Sequence, residues 1–110
     1  MDINPECCVR CVYEFVTPES VDKVLAEATS AHESSLKMDT STGRTNFVLD
    51  MVDSVRDKAA IIHYCGTHGV PVVSCGGAGD LRDPELLRVS DLARAEGDAL
   101  IMKTRKVAVY

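Results

Sequence analysis

Residues 47–54 read FVLDMVDS, an apolar run of strand length with one carboxylate, Asp50, inside it and another, Asp53, at its exit. A short apolar run rich in β-branched and aromatic residues and bounded by polar punctuation reads as a buried strand, here expected over 46–51. The next residues, Ser54-Val55-Arg56-Asp57, form a variant of the capping box that opens a helix. In that helix Val55, Ala59, Ile62 and Gly66 make the expected buried stripe, and His68-Gly69 is the stop, with glycine taking the left-handed cap. Val70-Pro71-Val72-Val73-Ser74-Cys75 reads as the next strand, its proline near the beginning where a missing N–H is tolerated. Strand, helix and strand in this order predict a βαβ unit, hence an α/β fold whose mostly parallel sheet carries helices on both faces.

Outward from this centre the signals thin. Along Cys7-Cys8-Val9-Arg10-Cys11-Val12-Tyr13 the odd positions suit the buried face of a strand. Thr17 as N-cap, Pro18 at the first helical position and Glu19 in the first turn start a helix, with Val21, Val24, Leu25 and Ala28 as its apolar stripe and an expected end near Ala28. Residues 29–45, rich in Ser, Thr and charge, read as an inserted loop, long for a compact α/β unit. Residues 86–89 are expected to form a further strand and residues 99–106 a short helix.

Composition narrows the classes. The chain has 110 residues, 45% of them apolar and 26% charged, with a net charge of −5, in keeping with one small globular unit rather than a general nucleic-acid binder. No apolar run reaches the ~18 residues of a membrane span, and the first nine residues show no signal-peptide pattern, so a cytoplasmic setting is expected, or a mitochondrial association in a eukaryote. Five cysteines include one C-x-x-C, Cys8 and Cys11, but a second ligand pair at zinc spacing is missing. Packing of the thiols, Cys75 included, is the favoured reading over metal, redox or nucleophilic chemistry, and an odd count argues against a complete disulfide framework.

In open α/β sheets ligands bind beyond the carboxyl ends of the strands, where Asp50, Asp53 and the Gly76-Gly77-Ala78-Gly79 loop converge. A strand-exit carboxylate suits Mg²⁺, which is held by one or two carboxylates together with phosphates and water; it equally suits an N-cap or a turn. A glycine-rich loop lets backbone N–H groups approach an anion, or simply makes a tight turn.

Four segments, INPEC with FVTPESV, FVLDMVDSVRDKAAIIHYC, VPVVSCGGAGDLRDPELLRVSDLAR and GDALIMKTRK, together resemble the tRNA threonylcarbamoyladenosine dehydratases of the ubiquitin-activating-enzyme-like superfamily, to which the ThiF and MoeB adenylating enzymes belong. The D-x-x-D-S-V-x-x-K pattern points to the superfamily; G-G-A-G, then D-P, then R-V-S-D-L-A, points to the dehydratase branch. The resemblance implies a Rossmann-like partial domain, the C-terminal portion of a ThiF-type adenylating domain. It also implies an ATP- and Mg²⁺-dependent reaction on tRNA, in which the carboxylate of threonylcarbamoyladenosine is adenylated and then cyclised with net loss of water. Asp53 matches the residue that holds Mg²⁺ and the nucleotide phosphates. Lys58 matches a basic position on the following helix, either catalytic or merely a surface partner of a nearby acid. Gly76, Gly77 and Gly79 match the loop on the substrate side, Asp50 is expected to be structural, and Asp83-Pro84 and Asp91 look like turn and cap residues. A homodimer is a further family expectation.

Two departures accompany the resemblance. The superfamily's G-x-G-x-x-G strand-turn-helix, with its phosphate-binding arginine and lysine and its ribose-binding acid, has no counterpart in these residues. Where the family favours D-P-L-A the chain has Asp98-Ala99-Leu100-Ile101. The chain alone is therefore expected to be inactive. Activation of a ubiquitin-like or sulfur-carrier protein, with Cys75 as the candidate nucleophile, and a non-catalytic binding module of the same fold are the alternatives. Arg88, Arg94, Lys103, Arg105 and Lys106 give the last quarter a positive bias, which a solvated helix face explains as well as RNA does.

Overall fold

The computed structural model describes residues 9–33, 47–79 and 82–108. Their elements run α1 (Val21–Glu33), β1 (Val48–Asp50), α2 (Val55–His68), β2 (Val72–Ser74), two 3-10 turns at Pro84–Leu86 and Leu92–Arg94, and α3 (Ala99–Ala108).

β1 and β2 pair in parallel, Val48 opposite Val72, Leu49 opposite Val73 and Asp50 opposite Ser74. Two further bonds extend the ladder: Val48 N–H donates to the Pro71 carbonyl at 2.9 Å and Cys75 N–H to the Asp50 carbonyl at 2.8 Å. The expected βαβ unit is present because α2 is closed at both ends. Ser54 is extended (φ −78°, ψ 124°) and its hydroxyl accepts the Asp57 N–H; Gly69 lies in the left-handed region (φ 65°, ψ 30°). Val70 N–H then donates back to the Cys65 carbonyl at 2.9 Å, the bond that ends a helix of this kind by returning the chain onto its last turn.

Val21, Ile61 and Cys65 form the core, with Val16, Leu25, Val48, Val52, Tyr64 and Val72 packed around them. α2 is therefore the central element, touching α1, both strands and, most extensively, α3. Its buried residues are Lys58, Ala59, Ile61 and Cys65, not the expected Val55, Ala59, Ile62 and Gly66 stripe, of which only Ala59 is buried. A helix held between a sheet and another helix buries more than one stripe, and the stripe visible in the apolar pattern alone omits the lysine.

Three expectations are corrected at the periphery. Residues 9–13 form no strand, and Val9, Val12 and Tyr13 are exposed; among the described residues β1 and β2 pair only with each other, so the alternation there has no described ladder to join. Cys7 and Cys8 lie outside the described residues. Residues 86–89 form no strand either. Asp83 accepts the Glu85 N–H at 3.0 Å and Pro84 starts a 3-10 turn, leaving Leu86, Leu87 and Val89 exposed. Helix α1 continues to Glu33, five residues into the expected 29–45 insertion; residues 34–45 of that insertion lie outside the described residues. Helix α3 forms where expected, and Asp91 caps the Leu92–Arg94 3-10 turn, accepting the Ala93 N–H at 2.8 Å. No helix among the described residues is long and apolar enough to cross a membrane.

Candidate functional site at the strand ends

The two carboxylates of FVLDMVDS part company within three residues. Asp50 is the last residue of β1, with its side chain wholly buried. Its Oδ2 accepts from Lys58 Nζ at 2.7 Å, and its Oδ1 accepts the Val52 N–H at 2.9 Å. Lys58 lies in the first turn of α2, its N–H bonded to the Ser54 carbonyl at 2.9 Å, and its side chain is as fully buried as that of Asp50. The ion pair thus ties the strand's end to the helix's first turn, and the Val52 bond fixes the link between them. Removing one member of such a pair leaves an uncompensated buried charge and costs ~3–5 kcal/mol.

Asp53, one residue past the anchored Val52, is exposed and makes no hydrogen bond or ion pair among the described residues. It is an oxygen donor on a turn whose Val52 N–H is held by Asp50, in keeping with a hard cation that brings water and phosphate as its other ligands. Among the described residues no group of three or more His, Cys, Asp or Glu is gathered to hold a metal by itself, so a cation here would need ligands from elsewhere. Lys58 is not the surface partner that the sequence allowed for: the structure brings it to Asp50, not to solvent beside Asp53.

The 76–79 loop leaves β2 at the same end of the sheet. Gly79 has φ 47°, a conformation suited to glycine, whereas Gly76 and Gly77 approach the start of α3. Ser74 Oγ, on the strand residue opposite Asp50, is buried without a hydrogen-bond partner among the described residues, as is Thr104 Oγ1 on α3.

The cysteines divide. Cys65 is completely buried, and burial, with the Asp50 carboxylate adding to it, pushes its thiol above the ordinary value, which disfavours the nucleophilic thiolate. Cys11 and Cys75 are exposed, which corrects the packing expected of both; the strand surface meant to cover Cys11 does not form, and β2 ends one residue before Cys75.

Sequence reasoning missed two features. The Asp50–Lys58 pair has a signal in the chain, a strand-end acid eight residues before a first-turn base, but burial of the base has none. In the sequence Asp98 stands only as part of an altered motif, although its Oδ1 accepts the Ile101 N–H at 2.7 Å and caps α3.

Among known proteins, the chain is similar to tRNA threonylcarbamoyladenosine dehydratase of Escherichia coli (strain K12), 39% identical over 104 residues, which are 94% of this chain and 33% of that protein. It is similar also to the dehydratase of Haemophilus influenzae, 31% identical over 105 residues, 96% of this chain and 34% of the relative. Among solved structures it superposes on E. coli tRNA N6-threonylcarbamoyladenosine dehydratase in complex with AMP, with a TM-score of 0.76 and 37% identity, covering 96% of this chain and 36% of that one. The same enzyme in complex with ATP matches with a TM-score of 0.76 and 38% identity, over 96% of this chain and 37% of that one. No protein-family model matches. The chain spans about a third of the length of the curated relatives it matches. Over nearly the whole chain, sequence identity and a Rossmann-like partial fold both match the corresponding third of the tRNA threonylcarbamoyladenosine dehydratases.

Proposed function

We propose that the chain supplies the carboxylate side of an ATP–Mg²⁺ site in a dehydratase that adenylates the carboxylate of threonylcarbamoyladenosine in tRNA and cyclises it with loss of water. The observation that carries this reading is Asp53: an exposed carboxylate at a strand exit, without a partner among the described residues, on a turn tied to a buried ion pair, in a chain similar to an enzyme captured with AMP and with ATP. When bound, Mg²⁺ would offset the negative charge of the phosphates as the pyrophosphate departs.

The chain's own residues have separate parts in this proposal. Asp53 would hold the cation. Asp50 and Lys58 set the position of Asp53 and do not touch the substrate; the catalytic role expected of Lys58 becomes one of positioning. Gly76, Gly77 and Gly79 shape the loop on the acceptor side. The cradle for the phosphates and the group that holds the ribose come from outside these residues, so the 110-residue chain by itself is inactive in this reading, and homodimerisation and tRNA binding belong to the whole enzyme.

The test is Asp53→Asn in a full-length dehydratase carrying this sequence, with the modified nucleoside followed by its loss of one water's mass. Preorganised electrostatic groups of this kind contribute on the order of a hundredfold to the rate, and a loss of that size is expected. Undiminished dehydration would remove Asp53 from the mechanism.

A further inference from the structure

Beyond β2 the chain turns through Gly76 and Gly77, and the first turn of α3 lies against it. A methyl group on Gly76 would overlap the Asp98 carboxylate, with Cγ 2.7 Å and Oδ1 3.1 Å from the added carbon; one on Gly77 would stand 3.6 Å from Leu100 Cβ. The carboxylate is not free to swing aside. Its Oδ1 accepts the Ile101 N–H at 2.7 Å, the Asp98 carbonyl accepts the Met102 N–H at 3.0 Å, and Gly97, at φ 80°, turns the chain into this position. A helix cap alone makes no demand on residue 76, since Asp, Asn, Ser and Thr all cap. The demand for glycine comes from the carboxylate pressed against it.

The contact continues toward the site. Cys75, next to Gly76, donates its N–H to the Asp50 carbonyl at 2.8 Å, and Asp50 Oδ1 holds Val52 N–H at 2.9 Å, one residue before Asp53. We propose that Asp98 is a positioning residue: its carboxylate fills the space left by the absent side chain of Gly76, locks the turn at residues 76–77 onto the start of α3, and so fixes the 76–79 loop relative to Asp53. Its meaning for catalysis rests on the reading of Asp53 given above; the contact itself does not.

Backbone amide NMR of the 110-residue chain separates the latch from the cap. Asp98→Ser keeps a capping oxygen but withdraws the carboxylate, so the Gly76 and Gly77 amide signals should move while the Ile101 amide stays protected. Gly76→Ala should evict the carboxylate and speed exchange at Ile101 roughly tenfold through local opening, and adding Asp98→Ser to Gly76→Ala should restore that protection. Unmoved Gly76 and Gly77 signals in Asp98→Ser, or unchanged Ile101 exchange in Gly76→Ala, would overturn the latch. In the full-length protein Asp98→Ser should lower ATP-dependent dehydration by roughly ten- to a hundredfold through misplacement of the loop, with the melting temperature retained. Wild-type activity there would overturn the positioning role, whereas wild-type activity in Asp53→Asn would sink the site reading and leave the latch standing.

Discussion

Two parts of this molecule use the same residue types to opposite effect. In the β1–α2–β2–α3 sector, Val48, Ile61, Cys65 and Val72 meet partners across the chain, and even an aspartate and a lysine are buried because they have each other. In residues 9–16 and 82–97, Tyr13 at 99% and Leu87 at 87% exposure stand in solvent although their local sequence reads much like a strand. Local pattern supplies a disposition, and only a neighbouring strand or helix converts it into buried structure.

The largest test of that contrast is Lys58→Met, which strands the Asp50 charge. It should destabilise by ~3–5 kcal/mol, much of the total stability of a small domain, as read by urea denaturation. A cost similar to that of a surface substitution would mean the pair is not buried in solution. Next is Ile61→Ala, expected to cost ~2–5 kcal/mol as a core truncation, against Leu87→Ala, expected within ~0.5 kcal/mol as a surface change. Equal costs would erase the distinction between the two regions. Ser54→Ala removes the cap of α2 and should cost ~1 kcal/mol, visible as a shift of the denaturation midpoint.

The cysteines give a further test that needs no mutation. Thiol labelling of the native chain should modify Cys11 and Cys75 rapidly and Cys65 only on unfolding. The folded Cys65 thiol sits above its ordinary value of 9.0. Its contribution to stability is therefore complete below that pH and is lost as pH rises from about 9 through the higher folded value. Cys65→Ala should flatten that alkaline decline, and an unchanged decline would assign it to another group.

How far the chain could be read follows the same division. Helix α2 was legible because Ser54 and Gly69 carry their conformations in their chemistry, and β1 and β2 because their apolar runs flank it. Helix α3 was legible over nearly its full length. The strand expected at residues 7–13, over its described residues 9–13, and the one at 86–89 failed because pairing is a property of a neighbour, and at 86–89 the Asp83-Pro84 pair, read as a turn, overrode the apolar residues that follow it. At the candidate site the strand-exit position of Asp53 was plain from the sequence. The anchoring was not: nothing in a lone lysine on a helix announces that it is buried, and the Asp98–Gly76 contact joins residues whose proximity only the fold creates.

The central claim is that the buried Asp50–Lys58 pair presents Asp53 to a nucleotide-bound cation. Its most direct measurement is the Mg²⁺ dependence of ATP affinity, by calorimetry, for the full-length protein and its Asp53→Asn variant. The account predicts that Mg²⁺ strengthens ATP binding in the parent and that most of this gain disappears in the variant. An identical Mg²⁺ dependence in both would contradict it.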